Sequence, residues 1–306
     1  MTTILLTGKT GQVGWELQHA LAPLGRLIAF DRTQLDLSNS SAIRKAIRDA
    51  SPNFVVNAAG FTAVDLAESE PALAMQLNGI APGIMAEAAK LAGAVLIHFS
   101  TSFVFDGTKR KPYLETDQPA PVNTYGRTKL AGERAITACG GKHIILRASW
   151  TYSHRRNNFP LTILKLARER LALSVVDDQI GAPTWARAYA EATAELVRMG
   201  NDAANHSGIY HLSAAGQASR YQWAKEIIES ARSRCRDKGR RWAQVQPIPT
   251  TEYPLPAVRP LYTMMDNSKI SGVFGIKTPH WRDQLRSFLS ELPAPMLAGS
   301  APEMFK

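Results

Sequence analysis

Near the start of the chain, Gly8-Lys-Thr-Gly11-Gln12-Val13-Gly14 sets three glycines at intervals of three. That spacing suits a turn that receives a pyrophosphate. Gly8 permits the tight turn, Gly11 lets backbone N–H groups approach the phosphates, and Gly14 lets the next helix pack closely on the preceding strand. Gln12 and Val13 complete the loop. Asp31 closes the following apolar run, and Arg32 comes directly after it. An acid at that point bonds adenosine ribose hydroxyls, which favours NAD(H), whereas a guanidinium pairs with a 2′-phosphate and admits NADP(H). Use of both, with NADPH slightly ahead, is the expectation; a solvated surface pair is the plainer alternative. Asp36 and Leu37 follow as candidates for the adenine.

Tyr125-Gly-Arg-Thr-Lys129 places a phenol and an ammonium four residues apart, on one face of a helix if Asn123 or Thr124 caps it. A free phenol has a pKa of about 10, and a fixed cation beside it favours the phenolate, bringing proton exchange towards neutrality. Alone, such a pair is common by chance and more often lies on a surface. Here it stands downstream of a glycine loop, after an apolar run that delivers Ser100-Thr101-Ser102.

These groups need a frame. To about residue 150, short β-branched or Leu-rich runs alternate with stretches of helical apolar spacing, which is a βαβ rhythm and an α/β fold. Strands are predicted at Thr3–Thr7, Arg26–Phe30, Phe54–Asn57, Val95–Ser100 and His143–Arg147, apolar on both faces and so buried on both sides of a parallel sheet. Val13, Leu17, Ala20, Leu21 and Leu24 form one helical stripe. The stretch Ala67–Ala92 reads as one kinked helix or as two joined near Gly79–Pro82. Later prolines punctuate shorter segments: helices over Thr184–Met199 and Tyr221–Arg232, short strands at Ile209–Ser213 and Thr263–Asp266. The expected layout is a Rossmann-type doubly wound parallel sheet over 1–150, for a dinucleotide, and a smaller C-terminal α/β substrate-binding lobe over 151–306, with some segments returning to the first domain.

The order TGxxGxxG, Asn57-Ala-Ala-Gly60, Ser-Thr and YxxxK resembles the extended short-chain dehydrogenase/reductase superfamily, many of whose members act on nucleotide sugars. More narrowly, the chain is similar to the dTDP-4-dehydrorhamnose reductase family. The residues that carry this are Gly8–Gly14, Thr62-Ala-Val-Asp-Leu-Ala-Glu-Ser-Glu-Pro71, Phe105-Asp-Gly107, Tyr125-Gly-Arg-Thr-Lys-Leu-Ala-Gly-Glu133, Arg147-Ala-Ser-Trp150, Asn157-Asn-Phe159, Asp178-Gln-Ile-Gly-Ala-Pro-Thr184 and Arg259-Pro260, spanning nearly the whole sequence. The resemblance implies NAD(P)H-dependent reduction of the 4-keto group of dTDP-4-dehydro-β-L-rhamnose. It makes Tyr125 the proton donor, Lys129 its tuner and ribose anchor, and Thr101 the hydroxyl on the carbonyl. Gly60, Phe61, Thr62 and Phe99 match cofactor contacts, and Asn78 matches an asparagine that orders a proton relay, or is simply a polar residue at a kink. Trp150 matches a residue beside the sugar and Arg259 a pyrophosphate partner, while Asn158 and Gln179 match substrate or loop hydrogen bonds.

The chain departs from that family at two places. The family's Ser-Thr-Asp-Tyr-Val-Phe reads Ser100-Thr101-Ser102-Phe103-Val104-Phe105 here, so Ser102 keeps a hydroxyl for substrate but loses a charge. Pro183-Thr-Trp-Ala-Arg187 places an arginine where members with a bridging magnesium carry an acid, so no metal site and a monomer or metal-free homodimer are expected. Rival readings are an epimerase or dehydratase on the same scaffold, and a non-catalytic dinucleotide-binding regulatory subunit.

Composition bounds these readings. With 306 residues, 45% hydrophobic and 20% charged, the chain has the makeup of a globular protein with a substantial core. Its 36 basic against 26 acidic side chains leave +10, much of it in Arg232–Arg241, which reads as a solvated helix end rather than a nucleic-acid patch. Cys139 and Cys235 have no metal-ligand spacing and read as free thiols. No apolar run approaches the roughly 18–20 residues that cross a bilayer, and no basic leader precedes the first one. A cytoplasmic location without membrane or nucleic-acid partners is the expectation.

Overall fold

The computed structural model describes residues 1–235 and 241–293. Its centre is a parallel sheet containing β1 (Thr3–Thr7), β2 (Arg26–Phe30), β3 (Phe54–Asn57), β4 (Val95–Thr101) and β5 (His143–Ala148), within a residue of the sequence reading. The strand Gly208–His211 adds itself to β5, giving the order Gly208–His211, β5, β4, β3, β1, β2. Connections leave β1 in both directions, so the order reverses between β1 and β3, and a crevice opens at the carboxyl ends of these strands.

Alternate residues of each strand feed two layers. Ile4, Leu6, Val56, Ile97 and Leu146 pack with Leu17 and Leu21 of helix α1 (Gln12–Leu21) and with Tyr189 and Leu196 of the helix Ala186–Met199. Leu5, Val55, Leu96 and Ile145 pack on the other face with Ile43 and Ile47 of α2 (Ser40–Ala50) and with the helix Ala81–Leu91. A third cluster, with Tyr152, Trp223, Trp281 and Phe288 at its heart, forms the core of the later lobe. Elements of the second half therefore serve the first: Ala186–Met199 covers the sheet, Gly208–His211 extends it, and Ile270 and Phe274 of the helix Ser268–Phe274 join the same core.

Three expectations need correction. β2 is only half-buried, because it is an edge strand and its helix layer covers it incompletely. The stretch after Leu66 is broken more finely than one kink: Leu66–Ser69, Pro71–Met75, a π turn over Gln76–Ile80, and Ala81–Leu91. Thr263–Asp266 is not a strand; it follows the loop at Tyr113 through bonds from Tyr113 N–H to Met264 (2.9 Å) and from Asp266 N–H to Tyr113 (2.8 Å). Of the basic run, 236–240 lie outside the described residues, as does the tail after Pro293.

Candidate active site

The glycine loop sits where β1 meets the crevice. Gly8 has φ +77°, and a Cβ there would stand 2.7 Å from the backbone nitrogen of Ala59; a Cβ on Gly14 would come within 2.0 Å of the Gly8 carbonyl oxygen. A Cβ on Gly11 would meet only the Gly8 oxygen, at 3.2 Å. Gly11 caps α1 with no side-chain bond, so the first-turn N–H groups are left to a ligand. Beside them the Gln12 side-chain oxygen is buried with no partner among the described residues. Val13 packs against both the sheet core and the lobe core. A cradle shaped by absent side chains, ending in unused donors, fits the pyrophosphate of a dinucleotide.

Asp31 is less free than its position promised. Its carboxylate accepts bonds from the Thr33 hydroxyl (2.6 Å) and the N–H groups of Thr33 and Gln34, and it pairs with Lys9 at 3.3 Å. The Thr33 hydroxyl above all holds its pKa below the usual carboxylate value. Arg32 is exposed beside it. Asp36 bonds the Ser38 N–H, and Leu37 is buried in the core with Leu5 and Ile43, so the Leu37 side chain is a packing group rather than an open adenine contact.

Thr101, at the end of β4, and the helix Thr124–Cys139 bring the second set together. Asn123 caps that helix, its side-chain oxygen accepting the Gly126 N–H at 2.8 Å. A Cβ on Gly126 would lie 2.2 Å from the Phe103 carbonyl oxygen, so only glycine lets the helix start press onto the turn after β4. Tyr125 thereby meets Phe103 edge-on at 5.9 Å and hydrogen-bonds with the Thr101 side chain. The expected lowering of the phenol's pKa is not what this arrangement gives. Desolvation raises it above 10, with the Thr101 bond opposing.

Lys129 is buried and donates to the Phe99 carbonyl oxygen at 2.5 Å. Burial brings its pKa down to about 8, with Glu133 holding it up. Its Nζ also lies 3.3 Å from Nε2 of His98, which is fully buried, and whose Nδ1 is 3.0 Å from the Asn57 amide nitrogen. Burial, then Lys129, push His98 well below the ordinary histidine value, so its ring is neutral. Asn78, on the π turn, accepts the Phe61 N–H (2.8 Å) and donates to the Phe61 carbonyl (3.0 Å) and the Thr128 hydroxyl (3.2 Å). It fastens the Gly60–Phe61 turn to the helix that carries Tyr125 and Lys129, while Thr62 beyond it is exposed.

On the other side of the crevice the later motifs meet in pairs. Trp150 follows β5 with φ +39°, and a Cβ on Gly181 would stand 2.3 Å from its ring. A Cβ on Gly107 would stand 2.6 Å from Pro260. Arg259 pairs with Asp65 at 2.6 Å, and the Val258 carbonyl before it accepts the Asn123 side chain at 2.8 Å, tying this segment to the start of the Tyr125 helix. Ser102 is buried, and its hydroxyl has no partner among the described residues. Asn158 is a loop organiser: it caps the helix Phe159–Glu169 and donates to the Ser153 carbonyl at 2.7 Å, so its polar atoms are taken and it offers the substrate little. Gln179 bonds Thr250 at 3.1 Å. Arg187 is paired with Glu291 and Glu16. Sequence reasoning missed Lys9, His98 and Arg220; His98 sits in plain view two residues before Ser100, but nothing local marks it as facing Lys129.

The model of the RmlD substrate binding domain family matches residues 1–293. The chain belongs to the RmlD family. Among curated RmlD-family relatives, the dTDP-4-dehydrorhamnose reductase of Escherichia coli K12 is 45% identical over 295 residues, covering 94% of this chain and 97% of the relative. That of Burkholderia thailandensis is 44% identical over 283 residues, covering 91% and 95%. The crystal structure of the Bacillus anthracis Ames enzyme in complex with NADP has a TM-score of 0.87 and 33% identity, covering 95% of this chain and all of that one. The RmlD-family fold, a parallel Rossmann-type sheet with a second lobe, is thus common to both. No helix among the described residues is long and apolar enough to cross a membrane.

Proposed function

We propose that this chain reduces the 4-keto group of dTDP-4-dehydro-β-L-rhamnose to the alcohol of dTDP-L-rhamnose, using NADPH or NADH, as a cytoplasmic monomer or metal-free homodimer. The observation that carries the reading is the convergence of Thr101, Tyr125 and Lys129 at the end of β4, in a chain that matches the family over 1–293. When bound, the reduced nicotinamide supplies hydride. Residues of the Gly8–Gly14 loop would hold the pyrophosphate on backbone N–H groups, with Gly60, Phe61 and Phe99 lining the nicotinamide end. Tyr125, kept protonated at neutral pH by its raised pKa, gives its proton to the carbonyl oxygen as negative charge develops there. Thr101 fixes the phenol and the carbonyl relative to each other, and Lys129 anchors the ribose and returns positive charge to the site. Trp150 and Arg259 face the sugar nucleotide.

A dehydratase reading has little support, since Ser102 and Phe103 put no acid beside Thr101. The buried, unpartnered Ser102 hydroxyl, where the family carries an acid, favours one competitor: a dinucleotide binder without turnover. Incubation with enzymatically prepared 4-keto sugar nucleotide and NADPH separates the two. The expected result is cofactor oxidation, reduced about 10²–10⁴-fold in Tyr125→Phe with NADPH affinity nearly unchanged. Cofactor binding without oxidation in the wild type points to the binder, and full activity in Tyr125→Phe removes the proton-donor role.

A further inference from the structure

Arg220 opens the helix Arg220–Arg234, and its backbone N–H bonds the Gln179 carbonyl oxygen. Its guanidinium carbon lies 3.7 Å from the centre of the Trp150 ring, 5.2 Å from Phe159 and 5.7 Å from Trp223. These rings are themselves stacked, Phe159 on Trp223 at 4.6 Å and Trp150 on Trp223 at 5.8 Å. The cation is therefore held on an aromatic face. Among the described residues, no carboxylate stands within ion-pair distance of it. The charged neighbour acting on it is a second cation, Arg259, and desolvation first, Arg259 second, pull its pKa down to about 9. The contrast with Arg147 is instructive: that buried guanidinium pairs with Glu133 at 2.7 Å. Arg259, for its part, is bonded to Asp65.

A desolvated cation facing another cation is costly unless something brings negative charge. We infer that Arg220, with Arg259, receives the diphosphate of the sugar-nucleotide substrate, an inference that rests on the reductase reading. Two guanidinium groups suit adjoining phosphates, which offer several oxygens to two-point donors. The cofactor's pyrophosphate is a separate claimant, but position argues against it. The glycine loop follows β1, while Trp150 under Arg220 follows β5, and β3 and β4 lie between them. Three strand spacings put the ends of β1 and β5 about 14 Å apart. The aromatic stack beneath Arg220 fixes its direction, so little side-chain freedom is left to lose on binding.

The test is binding of dTDP, UDP, thymidine and NADPH, each alone, to the purified full chain and to Arg220→Gln and Arg220→Lys, by calorimetry and by ligand-induced change in melting temperature. In Arg220→Gln, dTDP affinity should fall about tenfold or more, with thymidine and NADPH affinities unchanged. Arg220→Lys, which keeps charge but loses the two-point fork, should fall less. If the Gln variant does not fold, the Lys variant decides. Wild-type dTDP affinity in the variants overturns the inference, and so does an equal loss of NADPH affinity, which would assign Arg220 to the cofactor. If UDP binds the wild type better than dTDP and still depends on Arg220, the inference stands and the thymidine part of the reductase reading fails. If the wild type reduces the keto sugar and the variants keep its KM, the reading stands and the inference fails.

Discussion

The Asn57–His98–Lys129 chain explains how one cation is tuned inside the sheet. Asn57's side-chain oxygen already accepts the Thr7 hydroxyl (2.7 Å) and the Ala59 N–H (3.1 Å), so its amide nitrogen must face His98 and donate to Nδ1. A neutral ring that accepts at Nδ1 carries its proton on Nε2, which points at Lys129. Burial, with Glu133 opposing, brings Lys129 to about 8; an N–H aimed at an ammonium disfavours the charged form in the same direction. Below that value Lys129 is charged; above it the charge is lost. The pH profile of kcat/KM, which reports the free enzyme, should therefore fall on the alkaline side as pH passes about 8. His98→Ala removes the opposing N–H and admits water, so its alkaline limb should move upward towards the ordinary lysine value. A limb that stays in place, or moves down, would show that His98 does not bear on Lys129.

At the scale of elements, close approach is what glycine supplies. A Cβ on Gly132 would come 2.1 Å from the Asn78 carbonyl oxygen, where the helix Thr124–Cys139 crosses the π turn. Gly132→Ala must push that turn away, at a cost of about 1–3 kcal/mol. Because Asn78 holds Phe61, the same substitution should weaken cofactor binding. Gly272, in the short helix Ser268–Phe274, meets nothing within 4 Å, and Gly272→Ala should stabilise by up to about 1 kcal/mol. Urea unfolding of both variants, with NADPH titration of the first, checks the pair; a Gly132→Ala protein as stable as wild type would mean the crossing is slack. The strands around which these helices pack were legible because each is a continuous apolar run, buried from two sides except at the edge. The π turn was not, since apolar spacing cannot register one extra residue in a helical stretch that already contains Gly79 and Pro82. Thr263–Asp266 read as a strand because Met264 and Met265 make a short apolar run; they are buried, but the partner is the loop at Tyr113, which the run itself does not reveal.

Across the whole molecule, the chemistry of the first half was readable from local spacing, whereas the second wall of the crevice was not. Asn123 reaches Val258, Gly181 seats Trp150 and Arg220 lies over Trp150, and none of these partners is near the other in sequence. Arg187 is the sharpest case. Read as an arginine in place of a metal-binding acid, it is also the joint between α1, through Glu16 at 3.2 Å, and the helix Trp281–Glu291, through two bonds to Glu291 at 2.5 and 2.8 Å. Its guanidinium also rests 4.0 Å from the Trp185 ring. The joint ties the sheet layer to the lobe core at a place remote from Tyr125 in the chain. About a third of the Arg187 side chain is exposed, which discounts each ion pair, but forked geometry and a shared cation raise the sum. Arg187→Met should lower unfolding free energy by about 1–2 kcal/mol at low salt. The gap to wild type should narrow as salt is raised from about 0.05 M to 0.5 M, because these are partly solvated charges within a Debye length of water. If the two lobes unfold as one unit, the loss appears as a shift of a single transition; if the joint is what couples them, the variant's transition splits in two. Equal stability of the two proteins at low salt would mean that packing of Trp185 and Phe288 holds the lobes together without help from charge.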